Sequence, residues 1–214
     1  MTTHQPVQHT PAPARSDVPR PPADATSPTR PAARPFYKRG MLITVGAVAW
    51  GFDSLVFGTD PSNSTEEVLS SLTGGTFQLG LLGLLTVLFA TNALGDGRLA
   101  RFFIRFEAVL LFFAIGSTVA DGIGVSNLDQ PGWAMLDAFW PLSMLGMFFI
   151  GIRIAVAGRW HGKARFWPLI AESWGPIVVP TFGIFGSSVA GVVSFVHLCV
   201  GYGVLGQIVA RKEP

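Results

Sequence analysis

Long apolar segments alternate with short polar ones along the chain from residue 36 onward. A helix that crosses a bilayer needs about 20 mainly apolar residues, and irregular backbone cannot face lipid. Six segments meet this requirement, at residues 41–58, 76–94, 102–120, 133–153, 166–185 and 189–209. The pattern therefore predicts an all-α integral membrane bundle of six transmembrane helices, with a tight hairpin between the fifth and the sixth.

The first 35 residues have a different composition. They contain nine prolines among Ala, Thr, Ser and Arg, and almost no large apolar side chains. Such a segment cannot bury enough surface to offset the entropy of ordering it. We therefore predict a disordered, Pro/Ala-rich tail over residues 1–35 and a transmembrane domain over residues 36–214.

The basic residues are distributed unevenly between the apolar segments. All 15 Lys and Arg lie in or just after the tail, around residues 98–105, around residues 153–165, or at the C-terminus. The intervening loops contain none, and they are residues 59–75, 121–132 and 186–188. Cytoplasmic loops are enriched in Lys and Arg, so this alternation predicts a multi-pass protein of the plasma membrane with both termini in the cytoplasm.

Several classes of function find no support in the composition. The net charge of +2 is not gathered into a basic stripe, so no nucleic-acid partner is predicted. The single cysteine, Cys199, excludes an intramolecular disulfide. No two of the four histidines share an apolar segment, and no catalytic or cofactor-binding motif occurs. We therefore predict no metal site, no cofactor and no enzymatic activity.

Ionisable side chains inside apolar segments are costly there and mark candidate functional positions. Four of them make up the candidate intramembrane polar site, and they are Asp53, Asp137, Glu172 and His197. Arg105 and Glu107 also lie within a segment, and Asp121 lies at a segment edge.

The acidic residues fall into two groups by depth. Glu107 and Glu172 lie toward the cytoplasmic third, where arginines are available as ion-pair partners, namely Arg101, Arg105 and Arg153. The three aspartates lie in the outer third, where the sequence places no Lys or Arg. They either sit at the water interface or share a polar cavity with His197, which itself either relays protons or bonds to a neighbouring helix.

Two prolines follow acidic residues at a fixed spacing. Pro141 comes four residues after Asp137, and Pro176 comes four residues after Glu172. A helical proline removes the hydrogen bond to the carbonyl four residues before it, so kinks are predicted at Pro141, Pro176 and Pro180. Each freed carbonyl beside a carboxyl group would suit a cation or a water, or would simply be a hydrated kink.

Two hypotheses of function follow from these patterns. The first is a non-enzymatic accessory membrane protein whose tail and basic links contact lipid, cytosolic proteins or other membrane proteins. The second is a small proton- or cation-coupled transporter that uses the intramembrane carboxyl groups. The bilayer is the predicted partner in both, and a second copy of the chain is a further candidate.

Overall fold

The computed structural model describes residues 34–58 and 61–213. The described residues form ten helical segments, which are α1 (Tyr37–Phe57), α2 (Ser64–Ala90), α3 (Arg98–Gly122), α4 (Pro131–Asp137), α5 (Phe139–Ala157), α6 (Lys163–Glu172), α7 (Trp174–Phe185), α8 (Ser187–His197), a π-helix (Leu198–Tyr202) and α9 (Gly203–Ala210). The predicted disordered tail, up to residue 33, lies outside the described residues.

These segments combine into spans. Six helices of the described structure are long and apolar enough to cross a membrane. Spans 1 to 3 are α1, α2 and α3, span 4 is α4 with α5, span 5 is α6 with α7, and span 6 is α8, the π-helix and α9. This confirms the predicted all-α bundle of six membrane-spanning helices.

Span 2 begins earlier than the hydrophobic pattern indicates. Its helix starts at Ser64 rather than at residue 76, so residues 64–75 of the predicted loop are helical. The Asn63 side chain accepts hydrogen bonds from the backbone N–H groups of Thr65 and Glu66. An N-cap of this kind, followed by acidic residues in the first turn, stabilises a helix start even where the sequence is polar.

Span 1 makes close contacts with two other spans. It packs against span 2 on one side and against span 6 on the other. Glycines make both contacts close: a Cβ at Gly46 would lie 2.6 Å from the Phe77 Cα, and one at Gly40 would overlap the backbone of Gly206 and Ala210. The small residues therefore bring three spans into backbone contact, as is common for helices in lipid.

The outer surface of the bundle is apolar. Large hydrophobic side chains such as Leu72, Phe112 and Ile184 are exposed on different spans. A soluble protein would rarely expose so many, whereas acyl chains solvate them without cost. The bundle is therefore built to contact a lipid bilayer.

The bundle has two ends, one near the chain termini and one formed by the remaining loops. The terminal face contains the start of α1, the end of α9 and the links at residues 91–97 and 158–162, and the loop face is the opposite end. Trp160 is buried on the terminal face and donates a 3.1 Å hydrogen bond from Nε1 to Thr91. The Lys212 ammonium lies 4.5 Å from the Trp160 ring, and partial burial lowers the pKa of Lys212. These contacts attach the C-terminus to the middle of the chain.

Candidate functional site

Spans 4 and 5 are both interrupted directly after an acidic residue. The break in span 4 is at Ala138, after Asp137, and the break in span 5 is at Ser173, after Glu172. Pro141 and Pro176 then lie in the first turn of the helix that follows, where a missing N–H costs little. Pro180 lies inside α7, two turns into the helix. The breaks fix each carboxyl group at the end of a helical segment.

Glu172 lies in the interior of the bundle and is 1% exposed. Its Oε2 accepts a 2.5 Å hydrogen bond from the Tyr202 hydroxyl, and its Oε1 is buried without a hydrogen-bond partner among the described residues. Tyr202 belongs to the π-helix, which packs against α6. Single π-turns often occur at functional sites because they reorient the side chains that they carry.

Glu107 is a second buried carboxyl group, also 1% exposed. Its Oε1 accepts a 2.5 Å hydrogen bond from Ser143 on α5. Its Oε2 lies in the space that a side chain at Gly146 would fill, and it accepts no hydrogen bond within the described structure. Glycine at position 146 is therefore a condition for the placement of the carboxyl group.

The two buried carboxyl groups belong to one polar centre. Gly175, three residues after Glu172, lies against Met144, the neighbour of the Ser143 that bonds to Glu107, and a hydroxyl group bonds to each acid. Neither forms an ion pair in the described residues, so the basic partners considered for them from the sequence are wrong. Two of those arginines, Arg101 and Arg105, lie over the ring of Phe89 instead, at 5.9 and 5.5 Å. The centre thus consists of acids and hydroxyls only.

The other predicted site residues lie apart from this centre, with one exception. His197 Nε2 is 3.1 Å from the carbonyl oxygen of Ala171, the residue before Glu172, so the Nε2–H donates to span 5. Asp53 instead accepts a 2.6 Å hydrogen bond from Ser70, toward the loop face. Asp137 accepts a 3.4 Å hydrogen bond from Ser117 on α3. Asp53 and Asp137 therefore bond to hydroxyl groups other than those of the polar centre.

An aromatic cluster covers the polar centre on the side of the loop face. The Trp50 ring lies 5.2 Å from Phe77, 5.6 Å from Trp140 and 5.2 Å from Trp174. Phe77 in turn lies 4.7 Å from Tyr202, which holds Glu172. Trp140 and Trp174 are on the loop-face side of Ser143 and Glu172 in the chain, so the cluster separates the centre from that face.

A groove reaches the polar centre from the other direction. It has a volume of about 940 Å³ and runs between α3 and α5 from the link at residues 94–97 on the terminal face to Glu107. Its walls are apolar and aromatic, and they include Phe103, Phe106, Leu110, Leu145, Phe149 and Ile150. Arg153 lines its terminal end. The groove therefore reaches Glu107 along the outer surface between α3 and α5.

Part of the polar centre can be predicted from the sequence. Glu107 was identifiable as an acid inside an apolar segment, because Arg105, two residues away, points to another side of the helix. Nothing in the sequence singles out Tyr202 or Ser143, since a hydroxyl group in an apolar helix is common. Only the packing of spans that are distant in sequence brings them to the acids.

The polar centre contains no established metal or catalytic arrangement. Across residues 34–58 and 61–213, no group of three or more His, Cys, Asp or Glu is placed to hold a metal ion. The geometry offers two carboxyl groups that can each exchange a proton with a hydroxyl or with a ligand. No protein-family model matches the chain, and comparisons with curated proteins and with solved structures found no significant match.

Proposed function

We propose that this multi-pass membrane protein is a small proton-coupled carrier in which Glu107 and Glu172 bind the coupled proton. The observation that carries the proposal is Glu172, a carboxyl group that is 1% exposed and has one oxygen without a hydrogen-bond partner among the described residues. A carboxyl group at membrane depth without a basic partner is most stable when it holds a proton or a cation. Reversible occupation by a proton is then the chemistry that the centre supports.

The arrangement around the acids favours coupling over a purely structural role. A structural polar group in a bundle is usually hydrogen-bonded, as His197 is through Nε2 to the Ala171 carbonyl. The acids leave Oε1 of Glu172 and Oε2 of Glu107 unpaired in the described structure, and among the other buried groups Oε1 of Gln78, an amide that does not titrate, is also unpaired. A groove reaches Glu107, and the aromatic cluster lies on the loop-face side of the acids. A carrier exposes its proton site to one side of the membrane at a time, and this arrangement fits such a state.

A proton-flux assay in proteoliposomes tests this function. Vesicles with a pH-sensitive dye inside and the native chain in the membrane are given a potassium diffusion potential. We expect proton entry above that of protein-free vesicles, and we expect Glu172→Gln to abolish the excess. Asp129→Asn is the matched control, because Asp129 is an exposed carboxyl group on the loop face and does not line the groove. Equal flux in the native chain and in Glu172→Gln would remove the proposal.

The second candidate is the non-enzymatic accessory protein. It is favoured by the separate hydrogen bonds of Asp53 and Asp137, which bond to Ser70 and Ser117 rather than to the groups of the polar centre. In this function the basic links of the terminal face would bind anionic lipid or a protein partner. Under either candidate we propose that the chain is not an enzyme, and that it resides in the plasma membrane with its termini in the cytoplasm.

A further inference from the structure

The groove between α3 and α5 has apolar and aromatic walls with a buried carboxyl group in its lining. That group is Glu107, whose Oε2 has no hydrogen-bond partner in the described structure. Its volume of about 940 Å³ falls within the range of small-molecule sites, roughly 300–1,000 Å³. The chemistry of an occupant can therefore be argued from the lining.

An acyl chain of the bilayer fits the walls but not the carboxyl group. A hydrocarbon in contact with Oε2 would leave that oxygen buried and unpaired, which is unfavourable in a low-dielectric site. An organic cation satisfies both parts of the lining. Its charge would neutralise the carboxylate, and its apolar body would pack on the rings of Phe103, Phe106 and Phe149, whose faces attract cations.

We infer that the groove binds a lipophilic organic cation in exchange for the proton on Glu107. This inference rests on the proposed proton-coupled function and names its substrate class. The protonated carboxyl group releases its proton to water at the terminal face as the cation arrives, and the carboxylate becomes the counter-ion. Charge is conserved, because one cation enters the site for each proton that leaves.

Arg153 lies in the same groove and does not oppose this occupant. It follows Ser143, the hydrogen-bond donor to Glu107, by ten residues on α5, which corresponds to about 15 Å along a helix. Its guanidinium lies at the terminal end of the groove, 3.7 Å from the place of an added Cβ at Gly95. The charge that a deeply bound ligand meets is therefore that of Glu107.

Equilibrium binding of tetraphenylphosphonium to the purified full chain in detergent tests the inference. We expect saturable binding that weakens as the pH falls, with release of protons into a weakly buffered solution. Tetraphenylborate is the matched control, since it has the same shape and the opposite charge, and it should bind far more weakly. Glu107→Gln should weaken tetraphenylphosphonium binding by about 10- to 100-fold, as expected for loss of a charged partner.

A second variant tests the groove without changing the carboxyl group. Leu145 lines the groove and is about half exposed, so Leu145→Trp should fill the groove and weaken binding while the fold is retained. Leu72→Trp makes the same change on an exposed position of α2 outside the groove and should leave binding unchanged.

The outcomes separate this inference from the proposed function. Equal binding of the two tetraphenyl ions, or native affinity in both Glu107→Gln and Leu145→Trp, would overturn the lipophilic-cation site. If proton flux still depends on Glu172 in that case, the carrier function stands with another substrate. Absence of both the binding and the Glu172-dependent flux would remove both proposals.

Discussion

The Tyr202 hydroxyl donates a 2.5 Å hydrogen bond to Oε2 of Glu172 across the interface between spans 5 and 6. Both residues are almost completely buried, at 0% and 1% exposure. The bond connects the π-helix of span 6 to the end of α6, at the break in span 5. It therefore joins the two irregular features of these spans at the polar centre.

Removal of this hydroxyl should destabilise the bundle. Tyr202→Phe leaves the Glu172 carboxyl group without its only described donor, and the expected loss is about 1–2 kcal/mol in the free energy of unfolding. Unfolding by SDS in mixed micelles measures the change. Tyr37→Phe is the control, because Tyr37 is about half exposed at the start of α1. Equal stability of the two variants would show that the buried bond contributes nothing.

Gly146 is expected to be essential for the position of the Glu107 carboxyl group. A Cβ at Gly146 would overlap Oε2 of Glu107, so Gly146→Ala should turn the carboxyl group away and break its bond to Ser143. The expected loss is about 1–3 kcal/mol. At Gly116, on α3, an added Cβ would meet nothing within 4 Å, so Gly116→Ala should be neutral or stabilise by up to about 1 kcal/mol.

The same unfolding assay compares these two alanine variants directly. A result in which Gly146→Ala is as stable as Gly116→Ala would mean that Glu107 has room to move at no cost. The packing between α3 and α5 would then need to be looser than the 2.5 Å bond from Ser143 indicates.

The contact between spans 1 and 6 should be equally sensitive to an added methyl group. At Gly40 the Cβ would overlap the backbone of Gly206 and Ala210, and backbone cannot rotate away as a side chain can. Gly40→Ala should therefore force the spans apart and cost about 1–3 kcal/mol. Gly183→Ala is the control, because a Cβ there has no neighbour within 4 Å. Similar unfolding midpoints for the two variants would contradict the close contact.

The orientation in the membrane can be tested with single cysteines. In a Cys199→Ser background, a cysteine at Ser126 should react with an impermeant maleimide added outside intact cells. A cysteine at His161 should react only after permeabilisation, because the basic link that contains it is expected in the cytoplasm. The reverse labelling pattern would invert the proposed topology while leaving the fold unchanged.

The sequence predicted the spans well because length and apolarity alone define them. It also predicted that spans 4 and 5 are irregular near Asp137 and Glu172, since the spacing of each acid and its proline is local to one helix. It did not predict the partners of the acids, because Glu172 meets Tyr202 thirty residues later and Glu107 meets Ser143 on another span. Such pairs depend on how helices are rotated against each other, and a pattern within one helix does not contain that rotation.

The sequence also does not predict which glycines lie at close helix contacts. Gly40 and Gly206 lie in different spans, and neither stands out among 25 glycines in the sequence. Only the approach of the two helices distinguishes them from Gly183, which faces open space. Small residues permit close packing of helices in lipid, and only the structure shows where it occurs in this bundle.

The breaks at Ala138 and Ser173 have a mechanical consequence. Pro141 and Pro176 have no N–H, so the carbonyls of Asp137 and Glu172 lack their usual helical hydrogen bonds before any movement begins. Bending at these two joints therefore breaks no additional bond of that kind. The loop-face segments of spans 4 and 5, α4 and α7, can therefore bend relative to the rest of the bundle. A rotation of α7 at Ser173 would displace its loop-face end most, while Trp174, directly after the break, would stay near Trp50.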